Sequence, residues 1–461
     1  MHFLPYKDRC SQFLNKPSVK MNDISPVTNC DLLQPLPKQE DNQGNFLTKP
    51  HTTRFPLGLV YVGNFIEFLE FGLFSALLPF ISHDFFSSMA PDKRALLNYF
   101  ILYVGFLGRP IGGYFLGKIG DKKGSTYLLL FSVMGISFSC IAMACLPVFY
   151  GAFIIIPLLR FAQGFFTGAE QAAATTYILS LSGPKNSYGG MAWMIACALL
   201  GVTLAQTIAY SASVFCPNYF GFWRVPFFCI AGLSLLCFFP RYKFYKQQAF
   251  IKSEHVPNST GIKVNWWQVF AASILFAIFN SLFYVINVLI NTYTMLLHFD
   301  FNSSQFLINI IATAFFAVCL LSWAAILDKI PHNPFAMMKT ALVGITIMLP
   351  LTFYFHKHGF LLSLCSQLSL IAVVQLLTVT SATILPALFP EPVRVLSTGV
   401  ALSLGNSVIG GFFPFMASLI GFEGNRIYSV VGGIFVLIFV GFFCVRKLDN
   451  TKETGMFLRQ A

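Results

Sequence analysis

Charge is what this chain has least of. Only 10% of its 461 residues are Asp, Glu, Lys or Arg, against about a quarter in soluble domains. Hydrophobic residues make up 56%, with 53 Phe among them. The shortage excludes a water-soluble fold and leaves an integral membrane protein. Paired sulfur chemistry is missing too. The 11 Cys contain no CxxC pair, and Cys140, Cys145, Cys197, Cys229, Cys237, Cys319, Cys365 and Cys444 fall inside apolar runs, as small buried hydrophobes do. The eight His are scattered, with His356 and His358 flanking Lys357 in a short loop, so neither a metal nor a cofactor is expected. Residues 1–54 hold no apolar stretch long enough for a signal peptide. Polar and rich in Pro, Asn, Gln and Lys, they are expected to form a disordered cytoplasmic tail. The net charge of +12 does not imply nucleic acid, because a multi-pass membrane protein collects Lys and Arg in its cytoplasmic loops.

Apolar runs are what the chain has in plenty. Each is near the roughly 20 residues a helix needs to cross a bilayer. Twelve are predicted, at about 55–82, 95–117, 125–147, 151–180, 189–211, 222–240, 268–298, 304–327, 336–355, 360–387, 396–421 and 426–446. The long polar segment 241–267, with Arg241, Lys243, Lys246, Lys252 and Lys263, reads as a cytoplasmic linker between six-helix bundles at 55–240 and 268–447. Residues 448–461 form a second cytoplasmic tail. The expected fold class is therefore an all-α membrane protein of twelve transmembrane helices in two six-helix bundles. Lys118, Lys122, Lys123, Lys185, Lys329, Arg394, Arg446 and Lys447 join the linker on one side, which places both termini in the cytoplasm. An echo supports two related halves: Gly117 to Gly124 carries Asp121-Lys122 after helix 2, and Ile326 to Pro331 carries Asp328-Lys329 after helix 8.

Two carboxylates interrupt the first run. One charge at the bilayer centre costs about 2.5–3.5 kcal/mol on an insertion scale, so Glu67 and Glu70 need partners or a task. They are three residues apart and share a helix face, with Gly63 and Asn64 a turn earlier. Arg109, on the next helix, reaches a similar depth. Helix 4 adds the polar stripe Arg160, Gln163, Gly164 and Gln171, with Glu170 to one side. Three acids thus face Arg109 and Arg160, leaving one acid without a fixed counter-ion. A desolvated, unpartnered carboxylate suits a proton carrier, which makes Glu67, Glu70 and Glu170 the candidates; structural ion pairing is the other reading. The second half has no acid within its helices. Its helix 7 aligns Ser273, Asn280, Tyr284, Asn287, Asn291 and Thr294 on one face, either as substrate lining or as plain interhelical contact. Gln367, Gln375 and Thr378 on helix 10 are weaker candidates. Gly108 with Gly112 and Gly113 with Gly117 are small-xxx-small pairs that let helices approach closely, as halves that rock must. Arg224 is expected to anchor at Trp223.

Gly117-Lys118-Ile119-Gly120-Asp121-Lys122-Lys123-Gly124 resembles the loop motif of the major facilitator superfamily, and Arg160-Phe161-Ala162-Gln163-Gly164 resembles its helix 4 motif. The segments Gly108-Arg109-Pro110-Ile111-Gly112-Gly113, Gly168-Ala169-Glu170, Trp223 to Phe228 and Leu388-Phe389-Pro390 are similar to the metabolite:proton symporter branch of that superfamily. The branch usually has Asp where Glu70 stands and Trp where Phe68 stands, and Ser125-Thr126 replace a basic pair. The resemblance implies the major facilitator fold and proton-coupled import, by alternating access, of a small organic solute with a carboxylate or a zwitterion, such as a dicarboxylate, proline or betaine. The candidate substrate-binding residues read from the polar positions themselves are Asn64, Arg109, Arg160, Gln163, Asn280, Tyr284, Asn287 and Asn291. Gly117, Asp121, Lys122 and Gly124 would form a conformational loop in which Asp121 accepts from a helix N-terminus. The partners expected are the solute, protons and the lipid bilayer, with no nucleic acid, for a monomer in the cell (inner) membrane. The alternatives are proton-coupled export of a metabolite or drug, which the absence of a Gly-Pro pair from Met191 to Ile208 weighs against, and a sensor that binds without flux. No His, Cys or Ser clusters with a base, so an enzyme is not expected.

Overall fold

The structure, a computed structural model, describes residues 56–149, 151–182, 187–215, 221–251, 262–286, 304–355, 358, 360–412 and 426–450. Helices account for most of them, and no strand occurs among the described residues. They are α1 (Leu57–Phe86), α2 (Pro91–Lys123), α3 (Ser125–Cys145), α4 (Ala152–Ser182), α5 (Ser187–Phe215), α6 (Arg224–Ile251), α7 (Trp266–Tyr284), α8 (Ser304–Leu327), α9 (Pro334–Phe355), α10 (Phe360–Ala387), α11 (Arg394–Leu402, prolonged by a π-helical segment Ser403–Ile409) and α12 (Arg426–Asp449). Among the described residues eleven spans are long and apolar enough to cross a membrane, and α8 adds the shorter apolar stretch Ile311–Leu327. Large apolar side chains point outward, with Phe439 77% exposed and Phe138 72%. A lipid-facing surface requires this, because backbone polar groups are satisfied inside each helix and only apolar side chains meet hydrocarbon.

Helices α1–α6 and α7–α12 form the two halves. In the first, α2 crosses α4, α1 packs on α5, and α3 on α6; in the second, α9 packs on α10 and α7 on α12. The halves meet where α2 lies against α11 and α5 against α8. Exchanging corresponding helices of the two halves converts one of these pairs into the other, as a duplicated fold requires. The glycines of α2 serve two different neighbours. A Cβ at Gly112 would fall 1.8 Å from Phe165 O on α4, inside the same half, whereas one at Gly113 would fall 2.7 Å from Gly399 O on α11 of the other. Only the Gly113 and Gly117 face therefore contacts the opposite half; the Gly108 and Gly112 face binds the first half together.

Several boundaries differ from expectation. The motif Gly117–Gly124 is no loop: α2 continues to Lys123 and stops only at Gly124, whose φ of 91° suits glycine. The linker does not begin at Arg241, because α6 runs through Pro240 to Ile251. Proline removes a single backbone donor, and the charge that reads as a helix end is held inside the bundle. Asn287, Asn291 and Thr294 lie outside the described residues.

Candidate functional site

Among the described residues three acids and three arginines are buried within the first half, one arginine more than the sequence suggests. Glu70 and Arg160 form an ion pair, with 2.7 Å between Oε1 and Nη1, and the same Nη1 donates to Gln163 Oε1 at 2.7 Å. The Arg160 guanidinium also covers the Phe74 ring, 3.9 Å from its centroid. Glu170 pairs instead with Arg241, which donates from Nη2 to Oε1 at 2.7 Å and from Nη1 to Oε2 at 3.2 Å. Arg241 further donates to the carbonyls of Leu59 and Leu129, and Ser132 Oγ donates to Glu170 Oε2. Neither partner of this pair is exposed. Gly63 makes room for it, since a Cβ there would lie 1.6 Å from Arg241 Nη2. A signal for Arg241 was present: an arginine directly after an apolar run is as able to reach into a bundle as out of it.

Glu67 and Arg109 remain. Glu67 is 1% exposed, and neither carboxylate oxygen has a hydrogen-bond partner among the described residues. Arg109 is 6% exposed and stacks its guanidinium on Phe71 and Phe106, 5.2 and 5.7 Å from the ring centroids. It lies near enough to act electrostatically on both Glu67 and Glu70. Asn64, a turn before Glu67, donates to Met194 O on α5 at 2.7 Å, tying the acidic segment to the neighbouring helix.

A cavity of about 390 Å³ opens between the halves. Asn64, Gln171 and Gln206 come to its wall from the first half, and Asn280, Tyr284 and Asn406 from the second. Asn280 donates from its amide to Asn406 O, joining α7 to the π-helical segment of α11. Such wide turns displace a side chain from the ordinary helical register, and they recur at functional sites. Arg109, Arg160, Gln163 and the three acids are not part of the wall; Arg109 is one aromatic ring removed from it, behind Phe71 and Phe106. Gln206 and Asn406 escaped the sequence reading although each is an isolated amide in an apolar span, the pattern that identified Asn64. Of the helix 10 residues, Thr378 lines the cavity, Gln367 donates to Ile286 O at 3.3 Å, and Gln375 is buried without a partner among the described residues. Arg224 donates to the carbonyls of Ala144 and Leu146 and covers Trp223.

At one end of the bundle the halves are tied by two related contacts. Asp121, in the last turn of α2, accepts from Val395 N at 2.8 Å and Leu396 N at 3.1 Å, in the first turn of α11. Asp328, just past α8, accepts from Gly189 N at 2.8 Å, in the first turn of α5. A carboxylate at a helix N-terminus satisfies donors that the helix itself leaves free. His332 Nε2 lies 3.0 Å from the Tyr188 hydroxyl oxygen, Oη, beside the second contact.

Two helical halves joined by α2–α11 and α5–α8, with buried charges in one and a cavity between them, define a secondary transporter of the membrane. The chain belongs to the Major Facilitator Superfamily, whose family model matches residues 60–414. It is a transporter and not an enzyme. Among curated relatives, the "Putative proline/betaine transporter" of Staphylococcus aureus (strain COL) is 26% identical over 382 residues, 77% of this chain and 80% of that protein. The "Ectoine/proline transporter ProP" of Corynebacterium glutamicum is 22% identical over 94% of this chain and 90% of that protein. The "Citrate-proton symporter" of Klebsiella pneumoniae is 24% identical over 79% and 85%. A solved structure of the proton:xylose symporter XylE shares the fold with a TM-score of 0.65 at 17% identity, covering 84% of this chain and 93% of that one. The human organic anion transporter MFSD10 gives 0.63 at 15% identity, over 86% of this chain and 100% of that one.

Proposed function

We propose that the protein imports a small organic solute together with a proton, by alternating access of the central cavity, and that Glu67 carries the proton. The observation behind this is the inequality of the three buried acids: Glu70 and Glu170 each hold an arginine, whereas Glu67 has no hydrogen-bond partner among the described residues. Holding a buried carboxylate charged without a partner costs several kcal/mol, so Glu67 is the acid whose protonation eases the closing of the site. Arg109 lies near enough to act electrostatically on Glu67 and answers it: when Glu67 is neutral the arginine's charge is uncompensated, and when Glu67 ionises the two balance. Relatives named for proline/betaine transport and citrate–proton symport support a solute of that size and a proton as the coupling ion. The Asp121 and Asp328 contacts then close the cytoplasmic end, and both termini lie on that side in the cell membrane.

Uptake into proteoliposomes under an imposed inward proton gradient tests the reading. The native protein is expected to accumulate its solute. Glu67→Gln is expected to lose gradient-driven accumulation while still exchanging solute across the membrane at equal concentrations. Uptake that ignores collapse of the gradient would refute symport, and normal accumulation by Glu67→Gln would remove Glu67 from the carrier role.

A further inference from the structure

The π-helical segment Ser403–Ile409 decides which residues at this end of α11 reach the central cavity. Leu402, Asn406 and Gly411 line it, opposite Phe68, Phe71 and Phe106 of the first half. On an uninterrupted α-helix, at about 100° per residue, Gly411 would stand about 180° from Leu402, on the far side. A π turn spends one residue more before the chain comes round again, and so returns Gly411 to the wall. On the same uninterrupted helix Ile409 would come within about 20° of Leu402 and turn its side chain into the cavity. Instead, Ile409 packs against the apolar core of the second half. The wide turn thus keeps a bulky residue out of the cavity and puts a glycine in its place.

One side chain holds the turn. In an α-helix the Gly410 N–H would bond Asn406 O, four residues back; here it bonds the carbonyls of Gly405 and Ser407. Asn406 O accepts instead from the amide of Asn280 on α7. A carbonyl can only accept, so Asn280 presents an N–H to it, and a side chain that occupies a rung of the backbone ladder opposes α-helical closure there. Glycine brings the two helices close enough: a Cβ at Gly405 would collide with Ser273 O on α7, and one at Gly410 would fall 2.8 Å from Asn280 Cβ. A Cβ at Gly411 would fall 2.9 Å from the Phe106 ring on α2. Because residues 410 and 411 are both glycine, either can pass Phe106, and the chain has room for both registers. We infer that Asn280 is a positioning residue that holds this end of α11 in the π register, and that loss of its bond to Asn406 O closes the turn into an α-helix, withdrawing Gly411 from the cavity and inserting Ile409. Asn280 then acts on the solute through the shape of α11. The inference rests on the proposed transport only in taking this cavity for the solute's path; the register is independent of proton coupling.

Thiol labelling reads the register. Leu402→Cys, Val408→Cys and Ile409→Cys are made one at a time in the full-length protein, which is purified into lipid nanodiscs. Reaction with a small water-soluble methanethiosulfonate is followed at the introduced cysteine by peptide mass spectrometry, which separates it from the 11 native Cys. With Asn280 in place, the cysteine at 402 is expected to react and the one at 409 to be protected. Asn280→Leu and Asn280→Ala, read separately so that one well-folded variant suffices, are expected to speed labelling at 409 by about fivefold or more, the factor that one ordinary hydrogen bond represents. Position 402 precedes the turn and should not change, and 408, about 120° from Leu402 on an α-helix, should stay protected. Deleting Ser407 removes the extra residue, so that an ordinary α-helix returns Gly411 to the wall and turns Ile409 away. In that variant the cysteine at 409 should stay protected even with Asn280→Leu. Unchanged labelling at 409 overturns the inference, as does an equal rise at 402 and 408, the mark of general loosening, or a gain at 409 that survives the deletion. No gradient is applied, so this outcome is read apart from the uptake experiment: failure of symport leaves the register standing, and failure of the labelling pattern leaves symport standing.

Discussion

Replacing Arg241 by Met tests whether the charge at the end of α6 is a structural member of the first half or part of a solvated linker. The substitution keeps much of the side-chain length and removes the guanidinium. Glu170, which is not exposed at all, would keep only Ser132 as a side-chain partner, and the Leu59 and Leu129 carbonyls would each lose a donor. Removing one member of a buried ion pair costs about 3–5 kcal/mol, because the other charge is left uncompensated. For a unit near 200 residues, 1 kcal/mol moves the midpoint by about 2–4 °C, so a fall on the order of 10 °C is expected. The assay is thermal unfolding of the purified protein in mild detergent, run as a cycle with Glu170→Leu and the double variant. The double variant should be more stable than the sum of the single losses predicts, by about 2 kcal/mol or more, since no isolated charge remains. A single Arg241→Met variant within about 1 kcal/mol of native, the level of an exposed pair, would refute the reasoning. Strict additivity in the cycle would refute it too.

Other expectations follow from the close contacts. Gly112→Leu places side-chain atoms where a Cβ already falls 1.8 Å from Phe165 O, so it should abolish folded protein in the membrane, measured by size-exclusion profile, whereas Gly58→Leu, with nothing within 4 Å, should not. Asp121→Ala removes the acceptor for Val395 N and Leu396 N and should weaken closure at that end by about 1 kcal/mol, seen as faster labelling of a cysteine placed behind the contact. At the companion contact, burial pushes the Asp328 carboxyl above its ordinary value, against hydrogen bonds from the Gly189 and Tyr188 N–H groups. A carboxyl with the higher pKa in the closed form binds its proton preferentially there. Closure should therefore gain as pH falls from that raised value toward the ordinary one, and Asp328→Asn should flatten the dependence in the same labelling assay.

The amino-acid sequence by itself determined the class of fold. Runs of about 20 apolar residues leave the backbone no option in lipid but helices, and the echo of Asp121-Lys122 in Asp328-Lys329 marks the duplication. It also isolated Asn64, Glu67, Glu70, Arg109, Arg160, Gln163 and Glu170, because a polar side chain in an apolar span stands out one residue at a time. Pairing was not legible. Which acid meets which arginine depends on the rotation and tilt of α1, α4 and α6, and only their packing brought Arg241, assigned to a linker by its position after Pro240, onto Glu170 and left Glu67 over. The character of the cavity was hidden for the same reason. In a chain with 53 Phe, the few that face a void look like those that face lipid, and the distinction arises only when two halves are set against each other.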